Sequence, residues 1–273
     1  MTTMASPLTQ HDLSILEKIK DPESEPSAPL LIDDTLPRDP NITDQSTYLQ
    51  ISQRERSIIS SIQQIELQIA GLKPQSPDSE SQSPLSQYLD CVKRLDELIE
   101  KYPNYASARN NRAQALRRIY GDGILVSNPT SSFPQENTLD PSPSASTLLS
   151  ASITILTDLS TAINLLTPRT PFSPLSPQTA KTLSQAYTQR GALYHLTAKA
   201  LAVNGAELRI AEGRREKEWK AVEWEENASR DFMVGGRYGN EIAKALAVAA
   251  NPTAKLCGEM VREAMRKEYA GGS

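Results

Sequence analysis

Residues 105–122, YASARNNRAQALRRIYGD, carry Ala106, Ala108, Ala113, Ala115, Leu116 and Ile119 at helical spacing. Side chains this small let a second helix backbone approach closely. Just upstream, Leu89, Val92, Leu95, Leu98 and Ile99 mark one face of another helix over 88–102. Pro103 ends that helix, because proline has no backbone donor and pushes Tyr102 out of the α region. Two amphipathic helices joined by a tight Pro-Asn turn bury their apolar faces by packing antiparallel. The chain is therefore expected to be all-α and built from helical hairpins.

The same period recurs along the chain. Leu49, Ile51, Ile58, Ile62, Ile65, Leu67 and Ile69 predict a helix over 46–72, ending near Gly71. Leu148, Leu149, Ile153, Leu156, Leu159, Ala162, Ile163 and Leu166 predict a broadly apolar one over 147–166. From 178, Leu183, Ala186, Tyr187, Gly191, Leu193 and Tyr194 continue the pattern to Asn204-Gly205. It resumes over 206–234, so the third hairpin is expected to be an extended one turning at Asn204-Gly205. In that reading Trp219 and Val222 pack inside the extension. Arg214, Arg215, Glu216, Lys217, Glu218, Glu223, Glu225 and Glu226 form its solvated outer face. Helices over 240–250 and 255–269, separated by Asn251-Pro252 with Thr253 as cap, are expected to close the C-terminal end.

Breaks in the pattern divide the chain. Residues 1–45 hold one short helix over 9–20, with Leu13, Leu16 and Ile19 on a stripe. The stretch after it is rich in Pro, Ser and Asp and is expected to be largely flexible. Residues 46–273 form the helical domain, with insertions near 73–84, 121–146 and 199–222. Ser-Pro and Thr-Pro pairs at Ser76, Ser83, Ser142, Thr167, Thr170, Ser173 and Ser176 follow from this loop composition and match proline-directed kinase sites.

A formal charge of −4 and a pI of about 5.4 argue against a basic footprint for nucleic acid. No run approaches the roughly 18 apolar residues of a membrane span, and the Met1 end lacks a cationic segment followed by an apolar core. Cys91 and Cys257 each lie in an amphipathic helix, which fits two buried thiols in a cytoplasmic or nuclear protein. Nucleophile elbows, phosphate loops and metal-ligand spacings around His11, His195 and the cysteines are missing. No enzyme, cofactor or metal is expected.

Leu95 and Leu98 as large core positions, Pro103 closing the helix and small Ala113 in the next one resemble a tetratricopeptide repeat boundary. The pieces SARNNRAQALRR (107–118), AYTQRGALYHL (186–196), ENASRDF (226–232) and NPTAKLCGEMVREAM (251–265) resemble the tetratricopeptide repeat protein 36 family. The resemblance implies a tetratricopeptide α-solenoid of about three helix-turn-helix repeats with long loop insertions, an extended third hairpin and C-terminal capping helices. Its concave groove would be lined by Ser107, Asn110, Asn111, Gln114, Arg117 and Arg118 of the second repeat and Gln185, Thr188, Gln189 and His195 of the third. Amides can bond an extended peptide backbone and arginines a carboxylate.

The superfamily's two-carboxylate clamp for chaperone C-termini needs an Asn, which Asn111 matches, and a Lys and an Arg, where Gln185 and Gln189 stand. Contact elsewhere on an Hsp70-type chaperone is the more consistent expectation. The resemblance thus implies a non-enzymatic protein-binding adaptor or co-chaperone, with a regulatory link to tyrosine metabolism. The alternative is a structural subunit of a larger assembly, using the convex face or the long hairpin.

Overall fold

The computed structural model describes residues 30–72, 83–127, 138–170, 173–203 and 206–270. Eight α-helices dominate them: α1 (Gln45–Ile69), α2 (Pro84–Lys101), α3 (Ala106–Tyr120), α4 (Ala145–Leu166), α5 (Pro177–Leu201), α6 (Ala221–Arg237), α7 (Glu241–Ala249) and α8 (Pro252–Ala270). Each of α1 to α7 packs on its successor, and α3 also meets α5. The expected helix over 9–20, with His11, lies outside the described residues.

Helix starts follow from local chemistry. Asp44, Ser83, Ser144, Ser176 and Asn240 each accept a bond from a backbone N–H of the first turn. Pro84 and Pro177 stand in the first turns of α2 and α5, where no partner for their missing N–H is needed. For α8 the cap is Asn251, whose Oδ1 accepts from the Thr253 and Ala254 N–H groups. Asn251-Pro252 therefore starts that helix, and Thr253, the cap expected from sequence, lies inside it.

The alanines of α3 are buried together with Leu116 and Ile119, and α3 packs against α2 and α4. Helix α4 is long and apolar enough to cross a membrane by length and composition, contrary to the sequence reading. Here Ile155, Leu156, Leu159 and Ala162 are core residues. In their midst the Asp158 side chain is 0 % exposed and holds two guanidinium groups, Arg109 at 3.1 Å and Arg112 at 2.6 Å. Arg112 also reaches Asp96 of α2 at 2.7 Å, and Arg109 donates to the Pro103 carbonyl at the α2–α3 turn.

The extended third hairpin does not form. Helix α5 stops at Leu201, and β2 (Glu207–Leu208) pairs antiparallel with β1 (Val126–Ser127), Val126 opposite Leu208. A 3-10 turn, Arg215–Glu218, then leads into α6. Tertiary contacts override the helical pattern: Arg209 N–H donates to the Leu125 carbonyl at 2.7 Å, and Ser152 Oγ to the Arg209 carbonyl at 2.6 Å. Ile210 is buried, and Gly213 turns the chain at a φ of 78°. Trp219 packs edge-on against Tyr194 and Trp224, as expected for an inward residue, whereas Val222 is exposed. Glu216, expected in solvent, is buried between Arg214 and the Tyr194 hydroxyl.

Residues 30–44, part of the stretch expected to be flexible, are tied down. Ile32 bridges Leu175 in parallel, Asn41 Nδ2 donates to the Leu165 carbonyl, and the Arg38 carbonyl accepts from Ser176 and Thr179. Ser176, the cap of α5, is buried by these contacts and closed to a kinase. At the other end, Cys257 is exposed while Cys91 is buried, which corrects the expectation of two buried thiols. Leu256, Met260, Val261 and Met265 are exposed as well, so α8 presents apolar residues to solvent beside its polar ones.

Two measurements check this packing. Asp158→Ala leaves Arg109 and Arg112 without their shared anion and is expected to cost about 3–5 kcal/mol in urea unfolding; a loss below about 1 kcal/mol would make the triad dispensable. At Gly235, an added Cβ would lie 2.7 Å from Thr188 Oγ1 and 3.3 Å from the Ser184 carbonyl. Gly235→Ala is expected to push α6 off α5 and cost about 1–3 kcal/mol, read as a lowered midpoint.

Candidate functional site

Helix α3 places Asn110, Asn111, Gln114, Arg117 and Arg118 at the i, i+1, i+4, i+7, i+8 spacing of a single stripe. Helix α1 brings Glu55, Ile59, Ile62 and Glu66 to one side of it, and α5 brings Gln185, Thr188 and Gln189 to the other. Two cavities result. One, of about 600 Å³, is lined by Gln114, Arg117, Asp122, Gln185, Thr188, Gln189 and Asn240. The other, of about 770 Å³, is lined by Ile59, Ile62, Glu66, Leu67, Tyr88, Asn111, Ala115 and Arg118, among others. Gln114 and Arg118 line both, so the two cavities adjoin as one groove. The first half is lined by polar side chains, and the second mixes aliphatic with polar ones.

Of the residues expected in the groove on sequence grounds, Asn111, Gln114, Arg117, Arg118, Gln185, Thr188 and Gln189 line these two cavities, whereas Ser107, the buried Asn110 and His195 do not. That imidazole stands with Nδ1 3.6 Å from Glu225 and its ring edge-on to Phe232, at the α5–α6 contact. The others are mostly engaged with one another. Asn110, 1 % exposed, donates to Gln185 Oε1 at 3.3 Å and accepts from Gln189 Nε2 at 2.8 Å. Asn111 donates to Glu55 Oε1 at 2.7 Å. Arg117 pairs with Asp122 at 2.6 Å and donates to Gln189 at 3.1 Å. Arg118 pairs with Glu66 at 2.7 Å. Asn111, Gln185 and Gln189, the three positions compared with a carboxylate clamp, are thus occupied in holding α1, α3 and α5 in register.

The carboxylates opposite were missed, although Glu55 and Glu66 share a helical face of α1. Burial pushes the Glu55 carboxyl up, even though the Tyr105 hydroxyl, Ser107 and Asn111 donate to it. Burial also acts to raise Glu66, but hydrogen bonds from Arg118 and Tyr88 outweigh it and hold that carboxyl below its ordinary value. The Tyr88 hydroxyl, donating to Glu66, is pushed up by burial and by the adjacent carboxylate. Glu66 is therefore an anion locked to a cation and a phenol. Among the described residues, no group of three or more His, Cys, Asp or Glu side chains is placed to hold a metal ion.

No family model and no solved structure matches the chain. A curated relative does: the L-tyrosine degradation gene cluster protein hmgX of Aspergillus fumigatus is 37 % identical over 269 residues, 97 % of this chain and 94 % of the relative. That near full-length match overturns the assignment to the tetratricopeptide repeat protein 36 family, which rested on short scattered pieces. The chaperone-adaptor function implied by the resemblance falls with it. The pieces place alanine and large apolar residues at helical spacing, a pattern that closely packed helices require whatever their ancestry. The chain belongs to the family of the L-tyrosine degradation gene cluster protein hmgX.

Proposed function

We propose that this protein serves the degradation of L-tyrosine as a non-catalytic cytoplasmic component whose groove, formed by α1, α3 and α5, holds the ligand through which it acts. The observation that carries the proposal is the relative's identity along almost the whole chain, since that relative is named for an L-tyrosine degradation gene cluster. The non-catalytic part is supported by the state of the groove's ionisable groups. Glu66, Asp122, Arg117 and Arg118 are held in ion pairs, whereas a general acid or base needs a side chain free to exchange its proton with a substrate. A solenoid of stacked helical hairpins belongs to the same reading. It is supported by the packing of each helix on the next and of α3 on α5, which leaves a groove along alternate helices.

The test is growth. Deletion of the gene is expected to abolish or strongly slow growth of its host on L-tyrosine as sole carbon source, with normal growth on glucose. The wild-type gene restores it, and a Gln114→Ala/Arg117→Ala allele producing the same amount of protein does not. Unchanged growth of the deletion strain on L-tyrosine would overturn the role, and full rescue by the double variant would overturn the groove.

A further inference from the structure

Buried carboxylates in this fold follow one rule, with a single exception. Asp158, Asp231 and Glu216 are buried and each meets arginine: Arg109 and Arg112, Arg190 at 2.7 Å, and Arg214 at 2.6 Å. Asp39 and Glu55 are buried as deeply, at 4 % and 5 % exposure, yet among the described residues neither is ion-paired. A buried anion without a cation keeps the full cost of leaving water. The two adjoin, since the charge of Asp39 acts on Glu55. We infer that Asp39 and Glu55 form a proton-binding pair, which holds residues 30–44 against α1 and α3 in mildly acidic medium and loosens them as the pH rises.

Neutral groups donate to both carboxyls. Asp39 Oδ1 accepts from the Asn41 N–H at 2.8 Å, and the same carboxyl accepts from the N–H of Ala106, the first residue of α3. Tyr105 offers α3 no side-chain cap, so Asp39 supplies one from a distant part of the chain. Glu55 accepts from the Tyr105 hydroxyl, Ser107 and Asn111. Burial outweighs these bonds and pushes both carboxyls up, and at Glu55 the charge of Asp39 adds to the rise. Tyr48 and Tyr105 face the pair from α1 and the α2–α3 turn. Burial pushes both of their hydroxyls up, so they stay protonated in the same range. Arg38 stands over the Tyr48 ring at 6.0 Å, and Arg56 acts on the same tyrosine. A carboxyl raised in the fold stays protonated where the unfolded chain has already ionised. The stability it contributes is full below about pH 4, the ordinary carboxyl value, and is lost as the pH rises through the raised one. Lifting residues 30–44 returns Asp39 to water and takes its charge away from Glu55, so the loss falls first on that segment.

Carboxyl-carbon NMR titration of the full chain tests the pair. Both carboxyls are expected to titrate above the ordinary value, and Asp39→Asn is expected to lower the Glu55 midpoint. Hydrogen exchange tests the coupling to the segment. Corrected for intrinsic exchange, protection of the amides in 30–44 is expected to fall about ten-fold or more between pH 5 and pH 8. The near-isosteric Asp39→Asn/Glu55→Gln variant, shown to be folded by its circular dichroism melt, is expected to lose that pH dependence. Titration of either carboxyl at or below the ordinary value overturns the pair. Raised carboxyls with protection of 30–44 that is flat with pH, or that falls equally in the double variant, overturn the coupling. Both wild-type measurements stand without the variant.

Discussion

A carboxylate with no exposed surface, Asp158, sits in the middle of the most apolar helix, and the arrangement of three helices depends on it. Charge at that depth is tolerated only when paired and fully hydrogen-bonded. Arg109 and Arg112 meet the requirement from α3, one helical turn apart. Their second contacts pass the constraint outward, Arg112 to Asp96 on α2 and Arg109 to the Pro103 carbonyl at the turn between α2 and α3. Hydrophobic burial sets how strongly these helices associate but is nearly indifferent to sliding or rotation. The arginine triad is directional, and it fixes the register of α3. That register in turn decides which α3 side chains face the groove.

With α3 fixed, the groove is assembled by a second set of directional bonds. Asn110, Gln185 and Gln189 bridge α3 to α5, while Asn111 and Arg118 bridge α3 to α1. The groove is consequently rich in polar groups yet balanced in charge, each guanidinium beside a carboxylate. The apolar lining of Ile59, Ile62 and Leu67 adds a preference for bulk without charge.

Much of this was legible in the sequence, for identifiable reasons. Helices α2, α3 and α4 follow directly from apolar spacing, and the breaker at Pro103 marks where α2 stops. The α3 stripe is pure helical periodicity, which is why Asn111, Gln114, Arg117 and Arg118 come to one side of that helix while Asn110, beside them in sequence, is buried. Three things were hidden. Residues 206–220 carry a helical pattern, but their backbone is claimed by Leu125 and Ser152, partners over fifty residues away. Glu55 and Glu66 read as ordinary polar positions on α1, and only the fold reveals the tyrosines and amides that engage them. The family was misread because the spacing of alanine and large apolar residues reports close helix packing, a physical demand shared by unrelated chains, whereas ancestry is carried by identity spread along the whole length.

The segment ahead of α1 changes what sort of folding unit this is. Arrays of helical hairpins are dominated by contacts between sequence neighbours, so they form quickly and can fray from either end. Here Arg38 is bonded to Ser176, 138 residues further on, and Asn41 to Leu165. Closing a loop of that length carries an entropic cost that rises only logarithmically with its size, so the long separation adds little to the cost of the clasp. Once made, it joins the start of the described chain to the α4–α5 junction. The first four helices cannot then peel away from α5 without opening the clasp, which ties helices far apart in sequence to one another.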